Sequence, residues 1–497
     1  MPLISDDYLA VHLSRRYGPV DGWQSLASDA LYRCRATSLL ITHWLDQWWG
    51  PNAIAFRLSS LLIHILNTLL IYALGSWRLV GWRVAFCAAA FFAVYEGHQE
   101  AIVWFSALPE LLVFLFGVLA FLAWLAWLRR PERIWLYAAS LACFLLALFS
   151  KESAVVAGPL MLVPLWLDPR LDRRRALLGA IPFAVAGIFY TGLIFATRDA
   201  HLHFHDGTFS LAAPFWITLR NSFGRLFWFW GFLALLVLLR RRASRLRPLL
   251  VFAGAWMLLG FLPYSFLTYM PRVPSRHTYL ASAGLAVVVA AGLLAWRRSQ
   301  RPWAVATLAF VVVAHNCGYL WTVKRAQYAE RAAPTEELLR VVARTDGPVL
   351  VQSFPLPAEV AELAVEIGAG KPRSILLFDA NVAQLAQAIY RWEPREQTGR
   401  SLDLRRLLSW PRATPVAMPD PDRHCGRPAR RLPGAAPRRL LANTADARAA
   451  GRLHCFLPRP IRRHDLQKQG LQHGRLDQGS PACMLSLSTS LGEADDD

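Results

Sequence analysis

Ionisable and hydrogen-bonding residues gather in a few short stretches of this chain. Asp6 and Asp7 are adjacent near its start, and Arg35 follows with Thr37 and Ser38. Arg57, His64 and Asn67 are spaced i, i+7, i+10, which puts them along one stripe of a helix. Glu96, His98 and Glu100 lead into Trp104, Ser106 and Glu110. Lys151 and Glu152 form a pair, His201, His203, His205 and Asp206 an alternating cluster, and Arg272, Arg276, His277 and Tyr279 a last group. Such residues can do specific work. A carboxylate can take the proton of an attacking hydroxyl, guanidinium and ammonium groups can hold a phosphate, and an indole can stack on a sugar or a lipid. The three alternating histidines would share one side of an extended segment, as metal ligands do, but they lack a clear fourth partner, so metal dependence stays open. Each group also has a plainer reading. The aspartates could simply be solvated, His64 and Asn67 could tie helices together, Lys151 and Glu152 could neutralise one another, and the histidines could sit in an exposed loop.

Apolar runs supply the elements that must position these groups. Hydrophobic residues make up 55% of the 497 positions and charged residues 18%, too little charge to cover a soluble globule of this length. Ten runs, at about 53–75, 84–99, 108–128, 134–150, 153–168, 176–196, 226–239, 248–268, 278–296 and 302–322, approach the roughly 20 residues that cross a bilayer core. Only helices satisfy their own backbone there. The second, fifth and seventh runs are short. Alternate connections between runs carry 17 basic residues, among them Arg129, Arg130, Arg133, Arg173 to Arg175 and Arg240 to Arg242, whereas the others carry 6. Positive charge marks the cytoplasmic side. The groups named above therefore share the opposite face. Segment 1–52 also falls on that face with nothing to export it, which predicts a further helix upstream of Met1.

The expected fold is an all-α polytopic membrane protein of about ten transmembrane helices, eleven with the upstream one, plus a small α/β appendage outside the membrane. Residues 1–52 read as an outer N-terminal loop carrying the acidic pair, and 53–322 as the transmembrane bundle. Residues 323–400 read as the appendage, with strand-like runs at Val349–Phe354 and Ser374–Asp379 and helical periodicity at Ala358–Ala369 and Ala380–Trp392. From 401 to 497 Arg, Pro, Gly and Ala dominate without periodicity, as in a disordered tail or in translation past a frameshift. The net charge of +20 sits largely in clusters between apolar runs, where it orients the chain and attracts anionic lipid, so nucleic acid is not an expected partner. The cysteines show no metal-ligand spacing.

Taken in order, Asp6-Asp7, Arg35 with Thr37-Ser38, the 56–67 stripe, His98-x-Glu100 with Trp104-x-Ser106, Ser150-Lys151-Glu152 and Arg276-His277-Thr278-Tyr279-Leu280 with Gly284 form a recognisable series. Over residues 4–322 the chain resembles the membrane part of the GT-C glycosyltransferases, in particular the protein O-mannosyltransferase-like group and the transmembrane-TPR mannosyltransferases. It departs from them at Arg57 and Ser60, where relatives often carry His and Asn. It departs again at Arg35-Ala36 in place of Arg-Pro, and at Pro109-Glu110 in place of a basic-acidic pair.

The resemblance implies an inverting sugar transfer from a polyprenyl-phosphate donor to a protein or lipid-linked glycan acceptor, in a bacterial inner membrane. It casts Asp6 and Asp7 as the catalytic pair, Asp6 ahead of Asp7, and Arg35 and Arg276 as holders of the donor phosphate. His64, Asn67, His98, Glu100, Trp104, Lys151, Glu152, His277 and Tyr279 are its further substrate-binding candidates. No nucleotide cofactor is expected, since no G-x-G-x-x-G fingerprint is present, and a divalent cation is left open. A polyprenyl-lipid flippase and a catalytically inactive scaffold are the alternatives. The first would favour internal repeats and helices broken near the bilayer midplane.

Overall fold

The computed structural model describes residues 3–18, 26, 28–198, 208–241, 246–268, 273–297, 302–379 and 385–392, all within Met1–Pro411. The His201–Asp206 cluster, Arg272 and the whole of 401–497 lie outside the described residues.

The described chain is largely helical. Among the described residues six helices are long and apolar enough to cross a membrane: Ala53–Ser76, Phe105–Arg129, Arg173–Ala196, Phe215–Arg240, Arg247–Phe266 and Trp303–Arg344. Four shorter apolar helices, Gly81–Val94, Ile134–Leu148, Glu152–Leu167 and Ser282–Arg297, fall on other expected runs. The expectation of about ten crossings thus meets six helices of crossing length in a multi-pass membrane protein. Local chemistry starts several of them. Asn52 caps the first, its side chain accepting from the backbone N–H of Ile54 at 2.9 Å. Asp172 does the same for Arg175 N at 3.1 Å. Pro109 stands in the first turn of Leu108–Arg129, where a missing N–H costs nothing. The run expected at 226–239 is the second half of a longer helix broken at Trp228, whose φ of 28° interrupts the regular turn.

Segment 1–52, expected as a loop, is mostly helix. Asp6–Tyr17, here α1, and Ala36–Trp49, here α2, pack together and are joined by Arg15, which donates to Asp46 at 2.6 and 2.9 Å. Trp44, Trp48 and Trp49 of α2 remain exposed, as aromatics of a membrane-interface belt do.

Helices cross closely where a glycine allows it. A Cβ on Gly284 would lie 2.5 Å from the Ala253 carbonyl oxygen. Around that crossing, Phe121, Phe252 and Trp256 form one aromatic core.

Helix Trp303–Arg344 runs straight past the expected bundle boundary at 322 into the appendage. There Val349–Ser353 (β1) is the central strand of a parallel sheet ordered β2-β1-β3, with β2 at Leu376–Leu377 and β3 at Ala388–Arg391. Leu338, Val342, Val349, Val351, Ala361 and Val365 fill its core. Ala358–Ala369 is helical, closing in a π turn. The helix expected across Ala380–Trp392 is instead strand at Ala388–Arg391, because its alternation of buried Ala388 and Tyr390 with exposed Ile389 and Arg391 serves a sheet edge. The appendage rests on α1, where the Arg373 guanidinium lies 3.3 Å from His12 Nδ1.

Candidate functional site

Helix ends converge on one cavity of about 220 Å³. The first turn of α1 supplies Asp6, the start of α2 supplies Arg35, and the turn before Leu108–Arg129 supplies Trp104. Lys151 and Glu152 come from the turn after Ile134–Leu148, and Arg276 and His277 from the short helix Ser275–Thr278. Glu110 lies one turn inside a helix whose other end is Arg129, so the cavity and Arg129 stand at opposite ends of that helix.

The cavity's cations are set against carboxylates. Arg35 donates to Glu152 at 2.5 and 3.4 Å through two nitrogens, Lys151 to Glu110, and Arg276 to Glu100. Such buried pairs are costly to break, because a lone charge is then left out of water. Arg276 also lies over the Trp104 ring, 4.8 Å from its centroid, a cation–π contact.

Burial and pairing set the protonation states. Burial pushes the Asp6 carboxyl up to about 6, against the field of Arg276. Burial alone would raise Glu100, but the Arg276 guanidinium and the hydrogen bonds from Ser275 and Arg276 N outweigh it and hold it at about 2. Burial lowers the Lys151 ammonium although Glu110 opposes it. His277 is pushed down to about 3, first by burial and then by the neighbouring ammonium of Lys151, and so is neutral. Burial would weaken the Arg35 cation, but Glu152 more than compensates and holds it above its ordinary value.

The remaining sequence candidates stand elsewhere. Asp7 turns away from the cavity: it accepts from Ile4 N at 2.9 Å, Ser106 N at 2.9 Å and Ser106 Oγ at 3.1 Å, tying α1 to the Trp104–Ser106 turn. Burial pushes its carboxyl to about 6 against those bonds. His64, Asn67 and Tyr279 form a hydrogen-bonded group inside the bundle, with His64 Nδ1 2.7 Å and Asn67 Nδ2 3.2 Å from the Tyr279 hydroxyl. Asn67 also donates to the Leu111 carbonyl at 3.0 Å, which links two crossing helices. His98 Nε2 pairs with Ser282 Oγ at 2.7 Å. Glu100 stands behind Arg276 rather than on the cavity wall.

Glu110 and Tyr264 line the cavity but were given no role by sequence reasoning. Glu110 carried a signal, an ionisable residue just inside an apolar run. Tyr264 carried none that separates it from other interfacial tyrosines. Among the described residues no group of three His, Cys, Asp or Glu is placed to hold a metal ion.

No protein-family model and no curated protein matches the sequence. Among solved structures, ArnT from Cupriavidus metallidurans, crystallised with undecaprenyl phosphate, aligns at 12% identity and a TM-score of 0.47, covering 78% of this chain and 86% of that one.

Proposed function

We propose that the chain is a membrane glycosyltransferase that moves a sugar from a polyprenyl-phosphate carrier to a hydroxyl of a protein or lipid-linked glycan, at the face opposite the arginine-rich connections. The observation that carries this reading is the composition of one cavity, whose wall holds the Asp6 carboxyl together with Arg35, Lys151 and Arg276. In the proposed reaction the acceptor hydroxyl gives its proton to Asp6. Its oxygen attacks the anomeric carbon while the bond from that carbon to the phosphate oxygen breaks, with inversion. The lipid phosphate leaves with the electron pair, and the cations stabilise its charge. Asp6 suits the first step because its conjugate acid, near 6, is strong enough to leave it mostly ionised at neutral pH yet basic enough to take a proton. Leu9, Leu31, Leu39 and Leu267 give the same cavity an apolar flank for the first isoprene units of a lipid carrier. Trp104 also lines this cavity, with the Arg276 guanidinium over its ring.

The test is incubation of the purified protein with polyprenyl-phosphate hexoses of several configurations, each with peptide and lipid-linked glycan acceptors, scoring released lipid phosphate. Release with at least one donor, lost in Asp6→Asn, is the expected result. Release from none of them, in protein that melts cooperatively, would overturn the reading.

A further inference from the structure

Glu110, 3% exposed, gathers three donors on two oxygens. Oε1 accepts from Lys151 Nζ and lies 2.6 Å from His277 Nδ1, while Oε2 accepts from the Tyr264 hydroxyl at 2.5 Å. Lys151 balances its charge, so the carboxylate stays ionised and can only accept. The hydrogen between it and His277 therefore belongs to Nδ1. The 3.4 Å separation of Lys151 Nζ from the same nitrogen is that of two donors converging on one oxygen. In a neutral imidazole this places the lone pair on Nε2. The ring cannot easily turn, since Tyr264 stacks on it at 4.4 Å and 14° and is itself tied to Ser153 Oγ at 2.8 Å. His277 lines the cavity, and among the described residues both of its polar contacts run through Nδ1.

Resting on the transferase reading above, we propose that His277 recognises the transferred sugar, its Nε2 accepting a hydrogen bond from one ring hydroxyl, and that Glu110 and Tyr264 are positioning residues that fix the imidazole's tautomer and plane. The lone pair selects a hydrogen donor, so the ligand class is a hexose with a free hydroxyl at that position. A deoxy or O-methyl sugar cannot supply the hydrogen. Asp6 keeps the proton-transfer role, and no bond to His277 is made or broken.

Two measurements test this on the full chain in lipid nanodiscs. In protein carrying ring-¹⁵N-histidine, the His277 signal, identified by its loss in His277→Phe, should show a protonated Nδ1 and a bare Nε2. In Glu110→Gln the other tautomer should appear. A protonated Nε2 in the wild type overturns the proposal, and an unchanged tautomer in Glu110→Gln removes the role of Glu110. The second measurement compares polyprenyl-phosphate hexoses with their monodeoxy analogues. One deoxy analogue should lose about tenfold or more in kcat/KM with the wild type, the worth of one good hydrogen bond. His277→Phe should bring the parent hexose down to that level without further harming the analogue. Equal loss on both substrates would make His277 merely structural and refute the proposal. Turnover of no parent hexose by the wild type would refute the transferase reading and this one with it, whereas turnover without any deoxy sensitivity would refute this one alone.

Discussion

Replacing each member of the acidic pair by its amide should separate two roles that the sequence writes side by side. Asp6 lines the cavity and Asp7 does not. Asp6→Asn keeps the side chain's size but removes its charge and its ability to take a proton. If Asp6 is the general base, the loss is about 10²–10⁴ in turnover, or roughly 3–5 kcal/mol on the barrier. The melting temperature in detergent should scarcely move. Asp7→Asn attacks the fold instead. Its Oδ2 accepts from Ile4 N and its Oδ1 from both Ser106 donors. An amide keeps one acceptor and turns an N–H toward a donor at the other. Losing a charge-assisted bond at a buried site costs about 1.5–3 kcal/mol, so this variant should melt earlier, with turnover per folded molecule falling less than in Asp6→Asn.

The pH profile gives an independent check on the same carboxyl. A base works only when ionised, and burial has raised Asp6 to about 6. Rate should therefore be flat above that pH and fall about tenfold per unit below it, the sign opposite to that of a group acting as an acid. The assay is sugar transfer with a verified donor from pH 5 to 8, beside a detergent melt of each variant. Wild-type turnover in Asp6→Asn would refute the assignment. So would a selective rate loss in Asp7→Asn with an undisturbed melt.

Arg35→Ala should weaken donor binding about tenfold or more, the loss of one charge-assisted phosphate contact, with a smaller change in kcat; titration with a polyprenyl phosphate reads it directly. Gly284→Leu should lower the melting temperature, because its side chain would meet the Ala253 carbonyl oxygen and Met257, an overpacking that costs about 1–3 kcal/mol. Gly254→Ala, with nothing within 4 Å of the added carbon, is the control and should melt like the wild type. Single cysteines replacing Pro131 or Arg170 in a cysteine-free background should be shielded from an impermeant thiol reagent in intact cells, while Asn52→Cys should be labelled. The reverse pattern would invert the orientation.

The parts of this fold that could be read in advance are those written in local composition. Apolar runs become helices because lipid offers their backbone no other partner. Helix α1 was not legible for the opposite reason. Its twelve residues are too few to hold a helix in isolation. They hold it because Arg15 meets Asp46 and His12 meets Arg373, partners 31 and 361 positions away. The four residues at Ala388–Arg391 are likewise too short for periodicity to separate strand from helix, and pairing with Val349–Val351 decides them.

The same distinction explains the site. Asp6 and Asp7 are equivalent as letters, yet neighbours on a helix point about 100° apart, so at most one can face a given cavity. Which one does so depends on Ser106, 99 positions later, claiming Asp7. The cations drew attention in the sequence because positive charge at the edge of an apolar run needs a reason. Their pairing is non-local: Arg35 meets Glu152 across 117 positions, and Arg276 meets Glu100 across 176. Tyr264 has no visible feature of its own and acquires one only by stacking on His277 and donating to Glu110, 154 positions away. A carboxylate that organises an ammonium, an imidazole and a phenol is thus legible only once three helix ends and a turn have been brought together. In sequence it is a glutamate after a proline, the last of a short polar series with Trp104 and Ser106.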